Sequence, residues 1–343
     1  MTSVAVIGAS GYIGSELLRL LVNHPKIDEI IPVSRSLAGK KVSSHLTYLR
    51  GFLDAEFREM DLENLDADFL YVAAPPGEWI NSMQSVLERG IKVVSMGGKF
   101  RIKNPEIDSK TYPGFDNPEL LDKAVYGLPE LYREEIKKAS FIANPGCYTT
   151  SIILALAPLS RHKKSLDLGR IVVSSVSGSS GAGAKPSRFL HHPEMSSNLR
   201  PYRVLEHRHT PEMEHILSRE FDSDLSISFT PSIGNHCRGI LSYVNLFSNG
   251  EIDLGKLFGD FYSEEFFVRI LSSAGENVPN LKDVINTNFC DIGVNFDRGR
   301  GRILLLSATD NLIKGGSGTA VQNMNLMLGL DERLGLKQVA VSP

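Results

Sequence analysis

The sequence predicts an α/β domain with a parallel sheet, followed by an α+β domain on a mixed, largely antiparallel sheet. Three observations predict it. The chain has 343 residues, more than one typical domain of about 150 residues holds. Its first third alternates short apolar runs with helical patterns. Beyond about residue 165, runs rich in β-branched residues follow one another with few helices between them.

Val4 to Ile7 is a continuous apolar run with a turn behind it, the pattern of a buried parallel strand. Gly11 to Val22 follows, with Ile13, Leu17, Leu18, Leu20 and Leu21 on a helical face and Asn23-His24-Pro25 as its stop. Glu29 to Val33, Asp68 to Ala74 and Ile91 to Val94 are the next strands. A helix from Glu78 to Arg89 ends at Gly90, where a C-terminal glycine belongs. This rhythm implies βαβ units. Phe141 to Ala143 runs through Asn144-Pro145-Gly146 into a helix reaching Leu159. In the second domain Gly169–Ser177, Leu225–Thr230, Gly239–Phe247, Cys290–Phe296 and Ile303–Thr309 read as strands, and Leu254–Leu271 as a helix. The tail, Asp310 to Met327, turns helical again after a glycine-rich opening.

Composition bounds the function. Apolar residues are 42% and charged residues 22%, with 37 Lys and Arg against 40 Asp and Glu, a net charge of -3. That is an ordinary globular composition with no electrostatic case for nucleic acid or an anionic membrane as partner. Three cysteines suit a reducing compartment better than a disulfide framework. Thr2 to Ile7 lacks the basic-then-apolar layout of a signal peptide. No run of about 18 apolar residues occurs. The expectation is a cytoplasmic protein.

Gly8-Ala9-Ser10-Gly11-Tyr12-Ile13-Gly14 lies between the first strand and the first helix. Glycines there permit a tight turn and close approach of the backbone to a pyrophosphate, and the helix N-terminus attracts its charge. The spacing G-x-x-G-x-x-G is one residue wider than the common Rossmann fingerprint. An NAD site would place an acid about 20 residues further on, at the end of the second strand. Here Ser34-Arg35-Ser36 stands there. A guanidinium between two hydroxyls suits the 2′-phosphate of NADP, which a carboxylate would repel.

Asn144-Pro145-Gly146-Cys147 sets Cys147 at the mouth of a helix, where a thiolate is favoured and backbone N–H groups face a developing oxyanion. Cys237 and Cys290 lack that setting and read as core residues. Among the nine histidines, His207-Arg208-His209-Thr210-Pro211-Glu212 supplies a general acid/base in His209, with Glu212 supporting its imidazole. Thr210-Pro211 also reads as a helix start, Thr as cap and Pro in first position. No HExxH or finger-like spacing is present, so no metal is expected.

With these motifs assembled, the chain resembles the N-acetyl-gamma-glutamyl-phosphate reductase family, among the aspartate-semialdehyde-dehydrogenase-like acyl-phosphate reductases. Gly8–Gly14, Tyr126-Gly127-Leu128-Pro129-Glu130-Leu131, Pro145-Gly146-Cys147-Tyr148, Ser180-Gly181-Ala182-Gly183, His207–Glu212, Arg238-Gly239-Ile240, Phe289–Gly293 and Asp310–Gly315 carry the resemblance. It implies a Rossmann-type NADP-binding domain over residues 1–146, which a C-terminal helix over about 311–343 returns to join, an α+β catalytic and dimerisation domain over 147–310, and a homo-oligomer. Cys147 would be the acyl-accepting nucleophile and His209 the acid/base. Gly8, Ser10, Gly11, Tyr12, Ile13, Gly14, Ser34, Arg35, Ser36 and Asn311 would touch NADP. Arg101, Ser180, Gly181, Lys185 and Arg238 would touch substrate.

The acyl group is left open between two branches. Pro231–Asn235 and Val278–Lys282 look like the arginine-pathway enzymes. His191-His192-Pro193-Glu194 and Arg200-Pro201-Tyr202 look like the lysine-pathway branch, whose substrate rides on an acidic carrier protein; Lys99, Arg101 and Arg188 would then face the carrier. Members usually carry Asp-Leu-Ser-Ala-Asp-Phe-Arg after the fourth strand, where this chain has Ser95-Met96-Gly97-Gly98-Lys99-Phe100-Arg101. Two other classes compete: a cysteine hydrolase using Cys147 and His209 without nucleotide, and a non-enzymatic NADP-binding regulator.

Overall fold

The computed structural model describes residues 2–272 and 276–341. The chain divides into two compact units, Met1–Pro145 with Gly316–Lys337, and Gly146–Gly315 with Gln338–Pro343.

In the first unit six strands, β1 (Ser3–Ile7), β2 (Glu29–Val33), β3 (Phe69–Val72), β4 (Lys92–Ser95), β5 (Val125–Tyr126) and β6 (Phe141–Ala143), form one sheet in the order β2-β1-β3-β4-β6-β5. Every pairing is parallel. The continuous apolar runs of β1, β3 and β6 are buried on both faces, as a doubly wound sheet requires. Helices Tyr12–Leu21 and Trp79–Glu88 connect the first strands, and Met83 and Val86 of the latter enter the core with Leu70 and Val93. The helix Gly318–Met327, entered through a π-helical turn at Ile313–Ser317, is buried along its whole length. Asn323 Nδ2 donates to the carbonyl of Gly127 at 2.9 Å and to Asn144 Oδ1 at 3.0 Å.

The tail departs from the expected helix over 311–343. The helix stops at Met327, and the chain turns at Gly329 (φ +70°) and Gly335 (φ +72°). Asn325 Nδ2 donates to the carbonyls of Glu332 and Leu334, holding this irregular segment in place of helical bonds. The last two residues of that expected helix, 342 and 343, lie outside the described residues.

The second unit is built on a seven-stranded sheet of β7 (Ile171–Ser177), β8 (Arg200–Pro201), β9 (Ile227–Ile233), β10 (Ile240–Phe247), β11 (Val268–Ser272), β12 (Cys290–Asp297) and β13 (Arg302–Thr309), in the order β11-β12-β13-β10-β7-β9-β8. Only β7–β9 and β11–β12 pair in parallel. Alternating burial along β7 and β10 shows one covered face and one open face. On the covered face the helix Cys147–Leu156 approaches closely, because its contacts are small hydroxyls. Ser151 Oγ lies 2.9 Å from Ser307 Oγ and 3.2 Å from Ser242 Oγ, and Ser242 meets Ser175 Oγ at 2.7 Å.

Three readings change here. Leu254–Leu271 is not one helix: it is a helix over Leu254–Phe261 and then the strand β11. The polar Ser263-Glu264-Glu265 turn separates them, and pairing with β12 sets Arg269 against Asp291 at 2.6 Å; tertiary pairing decides what an apolar run alone leaves ambiguous. The helix after Cys147 ends at Leu156, and a 3₁₀ stretch Ala157–Ser165 carries the chain on past Pro158. Cys290 is buried as expected, but Cys237 is exposed. It stands in the turn between β9 and β10, where its carbonyl accepts the N–H of Ser180 and no apolar wall covers the thiol.

Candidate active site

The glycine turn of the first unit follows the carboxyl end of β1. Gly8 has φ +77°, and its N–H, with that of Ala9, donates to the carbonyl of Val33 at 3.0 and 3.1 Å. A Cβ on Gly14 would fall 2.2 Å from the carbonyl oxygen of Gly8, so only glycine lets the first helix sit this close to the strand. Gly11 is the cap of that helix and makes no side-chain capping bond, which leaves its first N–H groups to an anion. Tyr12 is exposed and Ile13 half-buried; the carbonyl of Ile13 accepts the hydroxyl of Ser317 at 2.9 Å. Ser10 Oγ and Ser34 Oγ are 2.9 Å apart, while Arg35 and Ser36 are exposed at the end of β2.

A pocket of about 510 Å³ opens at the ends of β1, β2 and β3, walled by Gly8, Arg35, Ala74, Pro75, Pro76, Gly77, Glu78, Trp79 and Phe115 among others. This is where the strand order reverses, the site at which open α/β sheets bind nucleotides. The residues present fit a dinucleotide: the glycine turn borders the pocket at Gly8, and Arg35 stands in its wall. Sequence reasoning missed the Ala74–Trp79 wall. Its signal was Pro75-Pro76-Gly77 directly after a buried strand, fixed by the bond from Trp79 Nε1 to the carbonyl of Pro75 at 2.8 Å.

The second unit places Cys147 as the first residue of its helix, with Gly146 as cap and the thiol half-exposed. His209 is the first residue of the helix His209–Phe221. A Cβ on Gly146 would lie 2.6 Å from His209 Nε2, so the imidazole lies against the backbone next to Cys147. Cys147 and His209 line one pocket of about 260 Å³ together with Tyr148, Ser177, Gly178, Gly181, Ala182, Tyr202, Arg203, His207, Arg208 and Ile233. Glu212, one turn along the helix from His209, is fully buried and accepts the N–H of Gly146 at 2.9 Å. It therefore ties the His209 helix to the cap of the Cys147 helix.

The helix start differs from the expected one. Thr210 is not the cap; the helix begins two residues earlier, at His209, with Arg208 in the cap position. His207 takes the capping bonds instead: its Nδ1 accepts the N–H of His209 at 3.2 Å and its carbonyl accepts that of Thr210 at 2.8 Å. Burial, with Arg208 and Arg203 adding to it, pulls His207 down to about 4. Tyr202 donates from its hydroxyl to that of Tyr148 at 3.2 Å, which donates to the carbonyl of Ser232 at 3.2 Å. Burial first of all pushes Tyr202 up to about 12 and Tyr148 further still. Both phenols stay neutral. His207, Tyr148 and Tyr202 escaped sequence reasoning as site residues because Tyr148 lies 54 residues before the stretch that carries the other two.

Among the expected substrate residues, Gly181 lines the pocket. Ser180 Oγ accepts from Asn311 Nδ2 at 3.0 Å, and Asn311 Oδ1 accepts the N–H of Gly239 at 2.7 Å. Asn311 thus lies in the second unit with Ser180, not in the unit of the glycine turn. Arg238 pairs with the buried Asp310 at 3.1 Å, and Lys185 is exposed outside the pocket lining. Arg101 is only 6% exposed and donates to the carbonyl of Met96 at 3.0 Å. Lys99 is 2% exposed, with Asp108 at 3.1 Å, Asp116 at 2.5 Å and the carbonyl of Tyr112 at 2.9 Å around its ammonium. Neither forms a basic surface for a carrier. A lone ammonium cannot be buried at low cost, so two acids and a carbonyl surround it. Among the described residues no three His, Cys, Asp or Glu side chains cluster to hold a metal ion. No helix of the described residues is long and apolar enough to cross a membrane.

Two family models cover the chain: the semialdehyde dehydrogenase NAD-binding domain over residues 3–139 and the semialdehyde dehydrogenase dimerisation domain over residues 147–311. The chain belongs to the semialdehyde dehydrogenase family. A protein of Archaeoglobus fulgidus named N-acetyl-gamma-glutamyl-phosphate reductase is 44% identical, covering 99% of each chain. One of the same name from Methanocaldococcus jannaschii is 42% identical over 100% of both. A protein of Ignicoccus hospitalis named as a putative [LysW]-L-2-aminoadipate/[LysW]-L-glutamate phosphate reductase is 40% identical over 98% of both. Among solved structures, aspartate semialdehyde dehydrogenase from Candida albicans with NADP shares the fold at a TM-score of 0.70 and 16% identity, covering 96% of this chain and 98% of that one. The family places this chain among oxidoreductases.

Proposed function

We propose that this enzyme reduces N-acetyl-gamma-glutamyl phosphate to the semialdehyde, with NADPH as reductant and a thioester on Cys147 as intermediate. One observation carries the reading: Cys147 begins a helix, and the Nε2 edge of His209 lies against its cap residue in the same pocket. The full-length relatives named for this reaction support the substrate, and Arg35 beside the glycine turn supports NADP over NAD.

The Cys147 thiolate, favoured at the helix N-terminus, attacks the acyl carbon. The C–S bond forms, and the C–O bond to phosphate breaks with its electron pair leaving on phosphate. Backbone N–H groups of the first helical turn stabilise the tetrahedral oxyanion. NADPH, when bound, supplies the hydride that takes the thioester to the hemithioacetal level. His209 protonates the oxyanion and then accepts the hydroxyl proton as the C–S bond breaks, which releases the semialdehyde and restores the thiolate.

Mass spectrometry of the protein mixed with acyl phosphate and no NADPH tests this. A mass gain on Cys147 that NADPH discharges is expected, with Cys147→Ala inactive yet still binding NADPH. A Cys147→Ala enzyme at full rate refutes the mechanism, and a thioester that water discharges as fast without NADPH points to a cysteine hydrolase. We further place the enzyme in the cytoplasm as a homo-oligomer, assembled through the open face of the second sheet, where Val172, Tyr243 and Phe247 are exposed.

A carrier-linked substrate is the second reading. The Ignicoccus relative favours it, as does the exposed stretch bearing Arg188, His191, His192 and Arg203, next to an open pocket of about 440 Å³. Exposed charges steer an acidic partner and are screened beyond about 8 Å at physiological salt. Turnover that falls steeply with salt selects this reading; salt-insensitive turnover of the free acetylated substrate selects the first.

A further inference from the structure

The helix His209–Phe221 starts without a capping bond from the side chain of its own cap residue, Arg208, whose backbone is already helical. Orphan N–H groups at a helix start need acceptors when buried. Two of them come to His207: the N–H of His209 to Nδ1 and the N–H of Thr210 to the carbonyl oxygen. A side-chain acceptor on residue i taking the N–H of residue i+2 is the bond that Asn and Asp make in an Asx turn. Here an imidazole makes it. The ring cannot drift, because it is 6% exposed and meets Tyr148, Tyr202, Phe229 and His209 edge-on at centroid distances of 5.5, 5.5, 5.4 and 4.7 Å.

We infer that His207 is a positioning residue, whose Nδ1 sets the first turn of the helix and so the angle at which His209 reaches the backbone beside Cys147. The tolerance there is small. The Nε2 of His209 already lies 2.6 Å from the place a Gly146 Cβ would take, and a misplacement of about 1 Å in a reacting site costs up to about 10²-fold in rate. The ring works only in its neutral form, since protonation turns Nδ1 from acceptor to donor. Tyr148, Tyr202 and His209 face the ring, and Arg203 and Arg208 flank it. The burial that depresses its basicity keeps it neutral at ordinary pH.

The kinetic arm of the test rests on the proposed reaction; the other arm does not. Wild type, His207→Leu, His207→Gln and His207→Asn are compared in a Cys237→Ser background, which removes the other exposed thiol. The first readout is the rate of Cys147 alkylation by iodoacetamide across pH 5 to 9, which reports the thiolate and its histidine neighbour without any substrate. The second is the split between kcat and KM. Leu has no acceptor and Gln places its oxygen one methylene too far, so both variants are expected to shift the alkylation profile and to lose kcat by up to about 10²-fold at little changed KM. Asn presents an oxygen where Nδ1 stood and is expected to restore both. Asn as impaired as Leu, or Leu with the wild-type profile, overturns the inference. Should the Leu variant fail to fold, Asn against Gln decides alone. A protein that reduces no acyl phosphate in any form sinks the proposed function, while its alkylation profiles still judge His207.

Discussion

Replacing Gly146 by alanine should damage the chemistry and leave the fold standing. The backbone there has φ -70° and ψ 153°, which any residue adopts, so the change carries no conformational strain. A Gly→Ala change at such a position reduces the freedom of the unfolded chain and stabilises by about 0.4–1 kcal/mol. The cost falls on the pocket. The new Cβ would meet His209 Nε2 at 2.6 Å, Cε1 at 2.7 Å and Thr149 Oγ1 at 2.8 Å, against the 3.4 Å at which ordinary contact begins. The imidazole must recede by the difference, about 0.8 Å, and His207 stands behind it at a centroid distance of 4.7 Å. A shift of that size corresponds to a loss of about 10²-fold in kcat, about 2.7 kcal/mol of transition-state stabilisation. Steady-state kinetics of semialdehyde oxidation with phosphate and NADP would measure it, beside NADPH titration and thermal melting. The expected result is a fall in kcat with unchanged NADPH affinity and a melting temperature near that of wild type. An alanine variant with full kcat would show that the imidazole does not work where the structure puts it.

Arg35→Asp should abolish or reverse the preference for NADPH over NADH, because a carboxylate at the end of β2 repels the 2′-phosphate and accepts the ribose hydroxyls; a retained preference, read from kcat/KM for each nucleotide, would remove Arg35 from the site. Lys99→Met should destabilise the protein by about 3–5 kcal/mol, since it leaves Asp108 buried without its ammonium; denaturant unfolding checks this, and a loss confined to a few tenths would show the ion cluster to be dispensable. Stability should also fall in acid. His207 in the folded chain sits near 4, below the ordinary histidine value of 6.5, so the unfolded chain binds the extra proton first. Its share of stability is full above pH 6.5 and is lost as pH falls from there towards 4. His24 and His215 shift in the same direction through burial. Melting temperature against pH should show the decline and His207→Asn should flatten it; an unchanged slope in that variant would assign the decline elsewhere.

What the sequence determined by itself was local. The turn Gly8–Gly14 needed three glycines at one spacing because the helix backbone touches the strand there, and that need is written in consecutive residues. Asn144-Pro145-Gly146 marks a helix start as a local breaker, and the boundaries of β2 and β6 follow from short apolar runs between breakers. The tertiary structure decided whatever depends on residues distant along the chain. Val268–Ser272 became a strand because β12 offered it a ladder, although its apolar spacing continued a helix. Lys99 and Arg101 looked like surface charge, yet Asp108, Asp116 and the carbonyls of Met96 and Tyr112 meet them once the stretch from Met96 to Asp116 folds back on itself, which its composition does not record. Cys237 went the other way, since a small thiol in a turn has no neighbour to bury it. The meeting of Cys147 with His209 belongs to this class too. Glu212 reaching the N–H of Gly146 brings the pair together, and a hydrogen bond between residues 66 apart leaves no trace in local composition.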